Sequence, residues 1–252
     1  MSAPASTPWW RTYFDDIFFR LHVSLFPEEQ SRREIAAMLE LTGLPVGSRV
    51  LDLPCGWGRH TNLLAEAGHA AFGADISEAL LRQAAADAAG SHLPSRYAAA
   101  DMRALPFADG SFDAVFNVFT SLGLFARDED DVRALSEARR VLAPGGRFLL
   151  ESMHRDDVVA AFAERDRWVL DDGTEVRVRR RFDPVTGVSH ERWRWRRGEE
   201  SGEKRHTIRL RTATEIDGLL RAAGFRNVVY YGDWTGEPLR HDSPRVIAVA
   251  TS

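Results

Sequence analysis

The chain has 252 residues, of which 44% are hydrophobic and 28% charged, and its formal net charge is −4. This length suits one large domain, or one domain with an insertion, and the ordinary composition excludes disordered and collagen-like chains. The single cysteine, Cys55, excludes an internal disulfide and any multi-cysteine metal site, and the mildly acidic balance argues against nucleic acid as the main partner.

The N-terminal part predicts a short tail followed by helices. Residues 1–8 are small and proline-rich, which predicts a loose tail. Aromatic residues at spacings of three and four over Trp9–Leu25 predict one helix with an aromatic face. A second helix is predicted over Arg32–Leu41, ended by Gly43 and Pro45.

Strand and helix patterns then alternate regularly up to residue 152. The runs that predict strands are 48–53, 69–74, 96–100, 112–118 and 147–152. The patterns that predict helices are 58–68, 77–89 and 128–142. Such alternation requires right-handed crossovers, and it therefore predicts a mostly parallel sheet covered on both faces.

Residues 165–211 interrupt this alternation. Strand-like runs over 174–182 and 188–197, joined by a Pro- and Gly-containing turn, predict a β-hairpin, with a further strand over 205–211. A helix over 212–224 and strands over 225–231 and 245–250 follow. The predicted fold is α/β: a Rossmann-like, doubly wound, seven-stranded, mostly parallel sheet with an antiparallel β insertion after strand five.

A turn with two glycines follows the first predicted strand. Asp52 ends that strand, and Gly56 and Gly58 lead into the next helix. Glycine lets a ligand lie against bare backbone, and the free N–H groups of a helix start bind negatively charged groups. Taken alone, the same turn is also compatible with a plain strand-to-helix connection.

Polar residues end the next three predicted strands. Asp75, Asp101 and Asn117 occupy these positions, and Met102 follows Asp101. The carboxyl ends of parallel strands form the ligand crevice of open α/β sheets. There a carboxylate such as Asp75 suits ribose hydroxyls, and Asp101 with the Met102 backbone suits the edge of an adenine. Each acid alone is also compatible with a helix cap or a solvated turn.

In chain order, the segments 51–58, 73–77, 100–107, 111–115 and 140–146 resemble the successive motifs of class I S-adenosylmethionine-dependent methyltransferases of the bacterial small-molecule type. The resemblance runs from about residue 46 to residue 151. It implies S-adenosylmethionine as the cofactor. It also implies the cofactor-binding residues: Gly56 and Gly58 beside the methionine part, Asp52 near its ammonium, Asp75 at the ribose, Ile76 on the adenine, Asp101 and Met102 at the adenine edge, and Asn117 at the fourth strand end.

Two departures from related patterns bear on this resemblance. Pro54 stands where the methyltransferase family usually has glycine, so one backbone donor is lost there. Dinucleotide-dependent dehydrogenases share the glycine turn, but Thr61 stands where their third glycine would fall. They are also disfavoured because Lys204, the only lysine, forms no Tyr-x-x-x-Lys pair.

Methyl transfer from a sulfonium is an in-line displacement, which needs a general base only when the acceptor arrives protonated. The candidates for catalytic roles are Glu151 and His154, at the end of the fifth strand, and Tyr13 in the N-terminal aromatic segment. The candidates for acceptor contacts are Trp10, Phe14, Thr120, Arg194, Tyr231, Asp233 and Arg245. No convincing set of clustered carboxylates indicates a metal site.

The predicted hairpin is strongly basic. Residues 173–211 include 12 basic and 6 acidic side chains, and a period of two separates Trp193 and Trp195 from the neighbouring arginines. The simplest interpretation puts the tryptophans on the core and the arginines in water. The alternatives are an acidic small substrate held by Arg177, Arg194 or Arg211, and a phosphate backbone bound by the arginine row.

The sequence therefore predicts a methyltransferase that acts on a nitrogen or oxygen atom of a small-molecule acceptor. Within a single domain, 1–252, we expect a helical cover (1–44), a cofactor-binding core (45–164), an antiparallel lid (165–211), and the last helix and strands of the core (212–252). The alternatives are an RNA or protein methyltransferase that uses the basic hairpin, and a non-catalytic S-adenosylmethionine-binding regulator. We expect a cytoplasmic protein with no membrane span, and an insertion that serves as a lid or as a homodimer surface.

Overall fold

The computed structural model describes residues 7–252, and most of the predicted N-terminal tail lies outside the described residues. The N-terminal segment forms helix α1 (Trp10–Tyr13), helix α2 (Asp16–His22), a 3₁₀ turn (Val23–Leu25) and helix α3 (Glu28–Thr42). The prediction of one helix over 9–25 was wrong. The Asp15 carboxylate accepts the Phe18 N–H at 2.8 Å and starts a new helix, because an Asp side chain competes for backbone donors.

The alternating part of the chain follows the predicted order. Its elements are β1 (Arg49–Asp52), α4 (Arg59–Glu66), β2 (Ala70–Asp75), α5 (Glu78–Gly90), β3 (Arg96–Ala99), β4 (Phe112–Asn117), α6 (Asp128–Val141) and β5 (Leu142–Met153). A short helix that the sequence did not predict, α7 (Arg155–Ala160), follows β5. The chain ends with α8 (Ala213–Ala222), β10 (Arg226–Tyr231) and β11 (Arg245–Thr251).

These strands form one seven-stranded sheet in the order β10-β11-β5-β4-β1-β2-β3. The five strands from β1 to β5 run parallel, whereas β11 pairs antiparallel with both β5 and β10. The predicted seven-stranded, mostly parallel sheet is confirmed. Its strand order reverses next to β1, so the carboxyl ends of β1 and β4 border a crevice at which such sheets bind ligands.

Apolar side chains cover both faces of this sheet. On one face the cluster includes Leu51, Val115 and Phe148 of the sheet with Ile216 of α8. On the other face, Met38 of α3 belongs to a second cluster with residues of α4, β1 and β4. Burying both faces of a parallel sheet explains why its strands are continuous apolar runs instead of alternating ones.

The insertion forms a separate antiparallel sheet of four strands, β6 (Arg165–Val169), β7 (Glu175–Asp183), β8 (Val188–Arg197) and β9 (Glu200–Arg209), called the insertion sheet below. The sequence missed β6 and placed the start of β9 at residue 205. Both errors fall on polar strands, where pairing with a neighbouring strand decides the structure more than residue type does. The inner face packs on α2 through Leu21, Val178 and Trp193.

The arginines of β8 lie on the outer face of the insertion sheet, as the simplest interpretation of the hairpin predicts. Trp193 is 8% exposed, whereas the side chain of Arg194 is 60% exposed. The sheet therefore presents a mainly apolar inner surface and a charged outer one. Within residues 7–252, none of the helices is long and apolar enough to cross a membrane.

Candidate active site

A cavity of about 500 Å³ lies between the carboxyl ends of the parallel strands and the insertion sheet. Three parts of the chain line it. They are the strand ends (Gly56, Asp75, Ile76, Asp101, Met102), the N-terminal segment (Trp9, Trp10, Tyr13, Phe14, Phe18), and the inner face of the insertion sheet (Arg180, Ser189, Glu191, Trp193, His206, Ile208). The lining is mainly aromatic and aliphatic with a few polar groups, which is typical of small-molecule sites.

The two predicted glycines have different structural roles. Both have positive φ, +53° at Gly56 and +75° at Gly58. A Cβ added to Gly56 would meet no atom within 4 Å, and this residue borders the cavity. A Cβ added to Gly58 would lie 2.7 Å from both the Ala84 Cβ and the Tyr97 hydroxyl. Gly58 is therefore required by the packing of α4 on α5, and it does not line the cavity.

Asp75 is the best-positioned polar group at the strand ends. It is 5% exposed and lines the cavity. One carboxylate oxygen accepts the Gly56 N–H at 2.9 Å, and the other accepts the Ser77 N–H at 2.8 Å. Burial raises the pKa of Asp75, although both N–H groups favour its charged form. Each oxygen keeps further acceptor capacity for ligand hydroxyls.

The neighbouring strand end combines one charged pair with apolar surface. Asp101 binds the Arg103 guanidinium through two contacts, at 2.8 and 3.0 Å, which lowers the pKa of the Asp101 carboxyl. Ile76 and Met102 pack beside Trp10 in one apolar cluster. This part of the cavity therefore suits a flat, mainly apolar ring with polar atoms at its edge.

Two predicted cofactor residues are not part of the cavity lining. Asp52 is buried behind the glycine turn, where one oxygen accepts the Thr61 hydroxyl at 2.7 Å and the other has no partner among the described residues. The side-chain amide of Asn117 donates to the Leu53 carbonyl at 2.7 Å and accepts the Ser121 hydroxyl at 2.8 Å. Asn117 therefore connects two strand ends instead of facing a ligand.

The two candidate bases at the end of β5 are occupied by other contacts, and neither lines the cavity. Glu151 is 3% exposed, lies 2.6 Å from Arg245, and accepts the Phe119 N–H at 2.6 Å. The His154 ring is buried and donates from Nδ1 to the Ser243 carbonyl at 2.7 Å. The sequence predicts that both residues act as bases, but the structure gives them structural roles. Arg245 of β11 binds the Glu151 carboxylate, and the Ser243 carbonyl in the loop before β11 binds the His154 ring.

The N-terminal aromatic candidates do reach the cavity. Trp10, Tyr13 and Phe14 line it, and Tyr13 is only 6% exposed. The Tyr13 hydroxyl is buried without a hydrogen-bond partner in the described part of the chain. Burial, with the charge of Glu191 second, raises the pKa of this phenol. Lys204 anchors the segment by donating to the Tyr13 carbonyl at 2.6 Å.

The remaining acceptor candidates divide into two groups. Thr120 and Arg245 line the cavity. Arg194 projects from the outer face of the insertion sheet and pairs with Glu203 at 2.8 Å, so its expected contact with the acceptor was wrong.

Tyr231 and Asp233 lie at the far edge of the seven-stranded sheet. Tyr231 packs beside the cluster of α3 and α4, and Asp233 accepts the Thr235 N–H at 2.8 Å in a turn. Their expected roles as acceptor contacts are likewise corrected, since β10 is the edge strand farthest from β1 on that side.

Sequence reasoning missed the polar residues that the insertion sheet and α4 bring to the cavity. Arg180, Glu191 and His206 come from three adjacent strands of the insertion sheet. Arg59, at the start of α4, borders the cavity and lies 2.5 Å from Glu34 of α3. Alternation along β8 was the available signal, because Glu191 shares the face of Trp193.

Comparison with known proteins agrees with this geometry. Residues 50–146, which include the glycine turn and four of the parallel strands, match the family model described as a methyltransferase domain. Over these residues the chain is similar to methyltransferase domains. The matched residues run from β1 to the start of β5, and the insertion sheet lies outside the match.

Solved structures share the fold of the whole chain. A S-adenosylmethionine-dependent methyltransferase from Clostridium acetobutylicum has a TM-score of 0.77 and 17% identity, with 93% of this chain and 96% of that chain covered. The CcbJ methyltransferase from Streptomyces caelestis has a TM-score of 0.80 and 18% identity, with 95% of this chain and 98% of that chain covered.

The curated relatives match less of the chain than the solved structures do. A demethylmenaquinone methyltransferase from Thermus thermophilus is 41% identical over 104 residues, which cover 40% of this chain and 46% of the relative. The matched part of the chain spans about half the length of the curated relatives.

The residues at the strand ends fit S-adenosylmethionine, on which the solved neighbour from Clostridium acetobutylicum depends. The open space at Gly56 admits a ligand against the backbone, and the buried Asp75 carboxylate has acceptor capacity left for two hydroxyls. Ile76 and Met102 provide apolar surface for a ring. Among residues 7–252, no group of three or more His, Cys, Asp or Glu side chains is arranged to hold a metal ion.

Proposed function

We propose that this protein transfers the methyl group of S-adenosylmethionine to a nitrogen or oxygen atom of a small-molecule acceptor. The observation that carries this proposal is the cavity, which extends from the buried Asp75 carboxylate to the inner face of the insertion sheet. Two ligands held in one cavity keep a fixed alignment, and an in-line displacement depends on that alignment.

The lining residues have two tasks in this reaction. S-adenosylmethionine supplies a methyl group that is already activated on a positively charged sulfur. Trp10, Tyr13 and Phe14 exclude water from the space above the strand ends and present aromatic rings, whose faces attract positive charge. Asp75 and the Gly56 backbone hold the nucleoside, so the reacting atoms are aligned by groups that do not themselves react.

The names of similar proteins support a small-molecule acceptor. The solved neighbours include an amino pentose methyltransferase from Micromonospora echinaspora, with a TM-score of 0.68 and 23% identity, and a sugar N-methyltransferase from a Streptoalloteichus species. The curated relatives include demethylmenaquinone methyltransferases. These acceptors differ from one another, and we infer only their common class. Trp10, Phe14, Thr120 and Arg245 are the proposed acceptor contacts.

The basic hairpin gives less support to an RNA or protein substrate. Arg192, Arg194 and Arg205 lie 3.2, 2.8 and 2.5 Å from the carboxylate of Glu203. This carboxylate neutralises part of the charge that a phosphate backbone would require. A non-catalytic regulator is disfavoured because the cavity extends well beyond the strand ends. A cytoplasmic location and pairing with a second copy stay predictions of the sequence.

The test has two stages. Calorimetry with S-adenosylhomocysteine measures cofactor binding, with Asp75→Ala as the control variant. Incubation with S-adenosylmethionine and a panel of phenols, amines and amino sugars is then followed by mass spectrometry for products that have gained one CH₂ unit. Failure to bind S-adenosylhomocysteine would refute the proposal. Filter binding of RNA that persists at raised salt would favour the nucleic-acid alternative.

A further inference from the structure

One row of polar side chains crosses the mainly apolar inner face of the insertion sheet. Arg180 of β7 is directly opposite Glu191 of β8, and Glu191 is directly opposite His206 of β9. All three line the cavity. Val178, Trp193 and Ile208, on the same face, are apolar and buried.

Glu191 is held in place at the centre of this row. One carboxylate oxygen lies 3.4 Å from the Arg180 Nε, and the other accepts the Trp193 indole N–H at 3.0 Å. The second oxygen also lies 3.8 Å from the Nε2 atom of His206. That separation is too long for a hydrogen bond, but a negative charge so close stabilises a protonated imidazole in a buried setting.

The other ring nitrogen of His206, Nδ1, is buried and has no hydrogen-bond partner within residues 7–252. The Tyr13 ring centroid lies 4.9 Å from that of His206, and the Tyr13 hydroxyl is likewise buried and unpartnered in the described chain. Buried polar atoms of native proteins are normally satisfied, by the protein or by a ligand. The two unpartnered atoms belong to residues that line the same cavity, so both keep hydrogen-bonding capacity for a polar group of a ligand.

We propose that His206 is the general base of methyl transfer, that Glu191 positions its ring, and that the acceptor is a hydroxyl or an ammonium group that must lose a proton. This inference rests on the proposed function. The acceptor's oxygen or nitrogen loses its proton to Nδ1 of His206 and forms the bond to the methyl carbon. The carbon–sulfur bond breaks and its electron pair stays on sulfur, while the proton passes from the imidazolium to solvent.

The charges around His206 suit this role. Burial lowers the pKa of His206, the Glu191 carboxylate opposes that effect, and Arg180 adds to it. Together these effects lower the pKa of His206 below its usual 6.5, so the ring is neutral near pH 7 and able to accept a proton. The other titratable or charged groups nearby are the Tyr13 phenol, His22 of α2, whose own pKa is lowered to about 4, mainly by burial, and Lys204 on β9.

Four other candidate acids and bases near the strand ends already have partners. Glu151 is paired with Arg245, and the His154 ring is bonded to a backbone carbonyl. Asp75 accepts two backbone N–H groups, and Asp101 binds Arg103. His206 therefore combines a neutral form, an unpartnered nitrogen and a position opposite the strand ends.

The test compares His206→Gln, Glu191→Gln and the matched control His190→Gln. His190 lies on β8 next to Glu191, and the alternation of the strand directs it to the opposite face. Calorimetry with S-adenosylhomocysteine is expected to give affinities within twofold of wild type for all three variants. For an acceptor found in the panel of phenols and amines, kcat of His206→Gln is expected to fall about 100-fold or more at pH 7 and to recover partly at higher pH. His190→Gln is expected to behave as wild type.

A spectroscopic readout tests the positioning role independently of turnover. Titration of the His206 ring by NMR is expected to show a neutral imidazole at pH 7. In Glu191→Gln the pKa of His206 is expected to move further down, because the stabilising charge is lost, and the acid limb of the kcat/KM profile moves with it.

Three results would overturn the inference. The first is a His206→Gln variant whose kcat stays within threefold of wild type with an unchanged pH profile. The second is a His206 ring that is charged at pH 7. The third is a Glu191→Gln variant in which the His206 ring titrates at the same pH as in wild type. In each of these cases S-adenosylhomocysteine still binds, so the proposed function survives. A wild-type protein that binds no S-adenosylhomocysteine would instead overturn both.

Discussion

Alanine substitutions at Gly56 and Gly58 should have opposite consequences, although the two glycines are separated by one residue. At Gly58 a Cβ would lie 2.7 Å from the Ala84 Cβ and 3.3 Å from its Cα, which belong to α5 and cannot rotate away. The Tyr97 hydroxyl, also at 2.7 Å, is held by a 2.6 Å hydrogen bond to Asn62. At Gly56 the same position is open.

The expected magnitudes follow from these contacts. Both variants incur roughly 1–2 kcal/mol for a left-handed backbone that carries a Cβ. Gly58→Ala adds an overpacking cost of about 1–3 kcal/mol, so its free energy of unfolding should fall by about 2–5 kcal/mol. Gly56→Ala escapes that second cost. Its methyl group projects into space that borders the cavity, and we expect at least tenfold weaker binding of S-adenosylhomocysteine, about 1.4 kcal/mol.

Urea unfolding and calorimetry measure the two effects separately. The expected pattern is a crossover: Gly58→Ala loses stability and keeps its affinity in the folded fraction, whereas Gly56→Ala loses affinity and keeps most of its stability. The reasoning would be refuted if the two variants lost the same affinity for S-adenosylhomocysteine and had the same free energy of unfolding. Gly58 could then not be assigned to packing and Gly56 to the cavity.

Four further predictions concern single side chains. Asp75→Ala should weaken S-adenosylhomocysteine binding at least tenfold by calorimetry, and unchanged affinity would remove Asp75 from the site. Burial opposes ionisation of Glu34, but His60 and Arg59 lower its pKa to about 2, below the usual 4.5, so the stability it contributes is present above pH 4.5 and is lost as the pH falls toward 2. Urea unfolding across this range should show a larger loss in wild type than in Glu34→Gln, because Asp101 and other carboxyls with lowered pKa values contribute to both. Arg194→Ala should leave turnover within twofold, since its side chain points away from the cavity; a large loss would restore it as an acceptor contact. Thr212→Ala removes a capping box and should reduce the free energy of unfolding by about 1 kcal/mol, whereas Thr212→Ser should retain most of it.

The strand ends that line the cavity could largely be predicted from the alternation of strand and helix patterns in the sequence. Alternating strand and helix signals are set by near neighbours in sequence, and they predicted the parallel strands in their order along the chain. Because the carboxyl ends of parallel strands meet at one sheet edge, Asp75 and Asp101 could be placed together without a structure. The glycine turn could be recognised, but the separate roles of Gly56 and Gly58 depend on α5, which packs on one residue and not on the other.

The acceptor side depends on contacts between residues far apart in sequence. Glu151 and His154 have the chemistry of a base, yet Arg245 and the Ser243 carbonyl, on and before the last strand, take up their polar atoms. No local pattern reports that pairing, because it exists only after β11 has been added to β5.

The sequence by itself determined the order of the strands along the chain, the position of the glycine turn and which residues of β8 face inward. Backbone periodicity and steric limits act within a few residues, so these features can be predicted locally. The tertiary structure decided which polar groups stay available for chemistry. Arg180, Glu191 and His206 become neighbours only through the register of three paired strands, and a shift of one residue would turn a strand's side chains to the opposite face.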